Sequence, residues 1–109
     1  MTNSDQLMLA AVKAQFPFRI NDREVTVDGE KTTVSLFGTP VASISPSDKE
    51  ITIYGQTPVS RKSARVFNTL LEDLSDCRMR SRDGQWVIYG RAGEILPIQD
   101  CRVTIPMKE

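Results

Sequence analysis

One change of period constrains this chain more than any other feature. From Glu24 to Tyr54, and again after Ser75, apolar residues tend to alternate with polar ones. Between those points they recur every three or four positions. Val59, Val66, Phe67, Leu70, Leu71 and Leu74 fall on one stripe, the spacing of an amphipathic helix. Ser63 shares the stripe, where a small side chain permits close packing. Thr57 before Pro58 supplies an N-cap and a first-turn proline, and Ser75-Asp76 closes the run. The spacing predicts a helix over 58–75, roughly 27 Å long at 1.5 Å per residue. A lone helix of this length is not stable in water, so its stripe requires a sheet to cover.

The flanking segments supply that sheet. Residues 24–27 alternate and end at Asp28-Gly29, a hairpin turn signal. Residues 32–37 run to Gly38, 40–44 run to the loop at Ser45-Pro46-Ser47-Asp48, and 50–54 run to Gly55. Four short β-rich runs separated by turn residues predict an antiparallel meander. After the helix, 77–81, 85–89, 95–98 and 101–105 read as further strands, with a turn at Asp83-Gly84. At the other end, Ser4 and Asp5 signal a helix start. Leu7, Met8, Ala11, Val12 and Phe16 follow at helical spacing, and Pro17 stops the run. This short helix, 4–15, is expected to pack as a flap on the core, with a partner or dimer contact as the alternative.

The resulting expectation is a single α+β domain over 1–109. A curved antiparallel sheet spans 23–105, with the 58–75 helix packed on one face and the short helix at the N-terminus. Residues 106–109 are expected to be loose. A chain of 109 residues suffices for one core without metal or disulfide staples.

Totals weigh against several functions. The 14 basic and 14 acidic residues cancel. A protein that coats DNA through its phosphates needs net positive charge, and a DNA mimic needs the reverse. There is no histidine and there are two cysteines, Cys77 and Cys101, which is too few ligands for a structural zinc site. Both are expected to be reduced and half-buried, with a disulfide between them as the alternative. Without histidine the usual general base near neutral pH is missing, and no glycine-rich phosphate loop is present. Asp22, Glu24, Asp28 and Glu30 cluster around a hairpin turn and read as a solvated face. The expectation is therefore a binding protein, not an enzyme, with no metal and no cofactor. The apolar run 7–12 is too short to span a membrane, and the expected location is the cytoplasm.

Basic charge is placed unevenly. From Thr57 to Ala92 there are seven basic and four acidic residues, whereas the preceding segment has five basic and seven acidic. Arg61, Lys62 and Arg65 fall in the first turns of the main helix, off its apolar stripe. Cations there oppose the helix dipole, a conflict that an anionic partner would relieve. Arg78, Arg80 and Arg82 alternate along one strand and so share a face, with Cys77, Met79 and Ser81 on the other. Glu72, Asp73 and Asp76 could neutralise them in a surface ion-pair network of little energetic weight. Otherwise the six cations form a surface for an acidic protein or a nucleic-acid backbone. Trp86 and Ile88 share one face of the next strand, Val87 and Tyr89 the other. The seven aromatic residues give only a sparse version of the basic-aromatic pattern of single-strand binders.

The runs Val34-Ser35-Leu36-Phe37-Gly38-Thr39-Pro40-Val41-Ala42, Glu50-Ile51-Thr52-Ile53, Thr57 with Ser63-Ala64-Arg65-Val66-Phe67-Asn68-Thr69-Leu70-Leu71, and Gln85-Trp86-Val87-Ile88 carry a resemblance. Together, over about 31–105, they resemble a family of small uncharacterised proteins carried by bacteriophages and plasmids. The resemblance implies a β-β-β-α-β-β type domain of mobile-element origin, acting in the host cytoplasm. It brings no catalytic residues. It implies an accessory factor that binds and inhibits a host protein, such as a defence component of CRISPR or other type. A nucleic-acid or phosphate-ligand module using the same arginines is the alternative, and a homodimer through an open sheet edge is compatible with either.

Overall fold

The computed structural model describes residues 3–20, 22–54, 61–82, 85–96 and 102–108. Helix α1 is Asn3–Ala14. The strands β1 (Phe18–Ile20), β2 (Arg23–Asp28), β3 (Lys31–Leu36), β4 (Thr39–Ser45) and β5 (Glu50–Tyr54) follow. Helix α2 is Arg61–Leu74. Then come β6 (Arg78–Arg82), β7 (Gln85–Tyr89), β8 (Ile95–Leu96) and β9 (Arg102–Pro106).

The predicted meander is present, and the α+β class stands. The strands, however, divide into two antiparallel sheets. Six form one sheet in the order β1-β2-β3-β4-β5-β9, and three form a smaller sheet in the order β6-β7-β8. Strand β1, which was not anticipated, pairs Phe18 with Val25 at the sheet edge. Strand β9 returns from the far end of the chain to pair with β5. Three residues are too few for alternation to register, which is why β1 escapes a reading by periodicity.

Cross-strand register assembles the core in rows. Val25, Val34, Ala42, Ile53 and Val103 face one another across five strands, as do Val27, Thr32, Ile44, Ile51 and Ile105. Helix α2 buries Ala64, Val66, Phe67, Leu70 and Leu71, as its stripe requires, with Leu74 half-buried. Thr57, Pro58 and Val59, and the side chain of Ser63, lie outside the described residues.

Helix α1 is a covering element. Met8, Leu9, Ala11 and Val12 belong to the same core. Buried Asp5 accepts a hydrogen bond from Arg23 Nε at 2.9 Å, and Arg23 Nη1 reaches Asp22 Oδ1 at 2.9 Å. This pair ties the first turn of α1 to the start of β2. It also corrects one expectation. Asp22 is not a solvated hairpin acid, because the adjacent buried guanidinium draws it in; Asp28 and Glu30 are exposed as expected. Lys13 Nζ meets Asp73 Oδ2 at 3.2 Å, joining α1 to α2.

The helix ends are closed by specific bonds. At α1, Phe16 N–H donates to Ala11 O and Gln15 N–H to Val12 O. Gln15 has φ of 52°. This is the Schellman arrangement with glutamine where glycine is usual, and Pro17 follows it. At α2, the buried Ser75 hydroxyl donates to Leu71 O at 2.8 Å and accepts from Cys77 N–H at 3.0 Å. The terminal residues are not loose through 108. Met107 N–H donates to Lys49 O, and Lys108 N–H donates to Leu74 O at 2.9 Å, satisfying a carbonyl that the helix end leaves over.

Candidate functional site

The small sheet is fixed to α2 through Asn68. Its side chain donates to Met79 O at 2.8 Å and accepts from Met79 N–H at 2.6 Å. Met79 lies opposite Ile88 in the β6–β7 ladder. Its main-chain groups turn away from β7, as they do at every second residue of an antiparallel strand, and the amide of Asn68 takes the place of a neighbouring strand. Met79 and Ile88 are buried on the inner face.

The outer face of this sheet carries the arginines. Register sets Arg78 opposite Tyr89, Arg80 opposite Val87 and Arg82 opposite Gln85, with Tyr89 in turn opposite Ile95. Directly opposed residues share a face. Arg78, Arg80 and Arg82 are exposed, Val87 and Tyr89 are half-buried, and Ile95 is 45% exposed. A cationic strip along β6 therefore borders an apolar strip with one aromatic ring. Sequence alternation separates Val87 and Tyr89 from Trp86, but only pairing register tells which neighbours they share. The Trp86 side chain lies outside the described residues.

Of the acids proposed to neutralise the arginines, Asp73 pairs instead with Lys13 on α1. Among the described residues, Arg78, Arg80 and Arg82 form no ion pair. The surface ion-pair network expected of them is thus not built among those residues.

Arg65 is exposed on α2, off the buried stripe. Arg61 and Lys62 occupy the first turn of α2, but their side chains lie outside the described residues. The Asn68–Met79 bonds set β6 running back along α2. From that junction, seven helical residues to position 61 and three strand residues to position 82 each span about 10 Å. The opening turn of α2 and the Arg82 end of β6 therefore lie at the same end of this helix–strand unit.

Cys77, beside this unit, carries a free, buried thiol. Burial pushes it up from its ordinary value of 9.0, helped by the charges of Glu94 and Asp76 and opposed by the Ser75 hydroxyl. It is poorly suited to act as a nucleophile, which requires the thiolate. Cys101 lies outside the described residues.

A second polar feature escaped the reading of the sequence. On the outer side of the six-stranded sheet is an open depression of about 280 Å³. Its centre is Thr52, with Ser43 opposite on β4 and Thr104 opposite on β9. The polar positions of each strand were legible as alternation, but their convergence needed the pairing of β9 with β5.

Among the described residues, no group of three or more potential ligand side chains could hold a metal ion, and no helix is long and apolar enough to cross a membrane. Protein-family models, curated proteins and solved structures give no match to this chain.

Proposed function

We propose that this domain is a non-catalytic binding protein whose working surface is the outer face of the small sheet. The observation behind this reading is a set of three exposed arginines on one strand face, without carboxylate partners among the described residues, beside half-buried Val87 and Tyr89 and exposed Ile95. Arginine and aromatic side chains are the types enriched where protein interfaces concentrate their energy. Three cations on an edge strand also guard against edge-to-edge pairing, a role that needs no partner. Apolar neighbours sharing the face favour recognition over protection alone. Arg61, Lys62 and Arg65 extend the surface in this reading.

The partner is an acidic protein surface of the host cell, and the domain acts as an inhibitory accessory factor of a phage or other mobile element in the cytoplasm. That biological setting rests on the sequence resemblance. The test is affinity capture from bacterial lysate with the wild-type chain and with Arg78, Arg80 and Arg82 all changed to Glu. A stoichiometric partner held by the wild type and lost by the variant is expected. The same partner on both proteins rejects the surface.

A nucleic-acid reading is favoured by one feature, Tyr89 beside the arginines, which could stack a base. It requires retardation of single-stranded DNA or RNA at low salt, with affinity falling steeply as salt rises.

A further inference from the structure

The depression on the six-stranded sheet is chemically unlike the arginine face. Hydroxyls of Ser43, Ser45, Thr52 and Thr104 line it across three strands. Lys31 and Glu50 lie toward one end in register, with Asp48 bonded to Ser45 there, and Tyr54 and Arg102, directly paired, lie toward the other. Two cations and two carboxylates line it, so the site carries no net charge. Apart from the ring of Tyr54, no large apolar side chain lines it among the described residues.

Its hydrogen-bonding groups are already positioned. Ser43 Oγ and Tyr54 Oη share a hydrogen bond at 3.3 Å, and the Ser45 hydroxyl donates to Asp48 Oδ2 at 3.0 Å. Ser43 is 5% exposed, so the Ser43–Tyr54 bond fixes the phenol against the sheet. Neighbouring strands repeat at about 4.8 Å, comparable to the separation of alternate equatorial hydroxyls on a pyranose ring. The volume lies near the lower end of small-ligand sites, roughly 300–1,000 Å³.

We infer that this depression is a binding site for a neutral polyhydroxylated ligand, a mono- or disaccharide. Thr52 and Thr104 contact its hydroxyls, Asp48 and Glu50 accept from them, Arg102 and Lys31 donate to them, and the ring of Tyr54 takes an apolar sugar face. A phosphate or other anion would meet the two carboxylates. An apolar ligand would leave the lining hydroxyls and charges without water or partners.

The experiment is titration of the isotope-labelled full chain, read by amide shifts in two-dimensional NMR. The probes are glucose, N-acetylglucosamine, maltose and cellobiose, with sodium phosphate as the anionic arm. Saturable shifts from at least one sugar at Ser43, Thr52, Tyr54 and Thr104, and not from phosphate, are expected. Changing Thr52 and Thr104 together to Val keeps the β-branched shape and should weaken binding at least tenfold. Unchanged Ile51 and Ile53 signals would show that the variant's sheet is intact. The Arg78, Arg80 and Arg82 to Glu variant should bind sugar as the wild type does. No saturable shift from any sugar, stronger shifts from phosphate, or undiminished binding in the Thr variant overturns the site.

Discussion

The side chain of Asn68 brackets Met79, giving one hydrogen bond to its carbonyl and taking one from its N–H at 2.8 and 2.6 Å. Neither aspartate nor leucine can make both bonds. Asn68→Ala strands two part-buried main-chain groups and should cost about 1–3 kcal/mol. Asn68→Asp sets a carboxylate against a carbonyl, and its loss at neutral pH should be at least as large. Urea unfolding with an unchanged slope measures both. A midpoint unmoved by either change would show that the bracket contributes nothing.

Arg23 and Asp5 form a pair that is almost wholly buried, with side-chain exposures of 6% and 0%. Removing one partner leaves the other's charge in the interior. Arg23→Met should therefore destabilise by about 3–5 kcal/mol. Replacing both, with Asp5→Leu beside Arg23→Met, should recover part of that loss, the remainder reflecting Asp22, which still loses its bond to Arg23. A double variant as unstable as the sum of the two single changes would mean the pair is not coupled.

Gln15 holds a positive φ that costs a side chain and not a glycine. Gln15→Gly should raise stability by roughly 0.5–1 kcal/mol. Part of this gain is offset by loss of the exposed bond from Gln15 Nε2 to Glu30 O. A rise of a few degrees in the thermal midpoint is the expected reading, and a fall would place the strain elsewhere.

Thr32 sits in a core row between Val27 and Ile44. Its buried hydroxyl finds no hydrogen-bond partner among the described residues. Thr32→Val keeps the shape and removes the desolvated oxygen, so a gain of about 1 kcal/mol is expected by chemical denaturation. Destabilisation would reveal a partner for the hydroxyl.

Cys77 predicts an alkaline dependence. Its folded thiol ionises at higher pH than the unfolded one, chiefly because it is buried. The folded state then holds the proton that the unfolded state releases. The associated stability is complete below the ordinary value of 9.0 and is lost as pH rises toward the folded value. Between neutral pH and pH 10, the wild-type urea midpoint should fall more steeply than that of Cys77→Ala. Parallel curves would contradict the raised value.

Much of the local structure was determined by the sequence alone. Alternation marked the strands, the stripe of Val66, Phe67, Leu70 and Leu71 marked α2, and the spacing of Arg78, Arg80 and Arg82 placed them on one face. These are properties of neighbouring residues, set by side-chain direction along a strand or helix. The tertiary structure decided which segments meet. It divided the strands between two sheets, brought β9 beside β5 to complete the polar depression, and set Tyr89 next to the arginines. It also gave Asp73 to Lys13 and Asn68 to Met79. Pairing and register across long loops depend on which apolar faces can be buried together, and no local period encodes that choice.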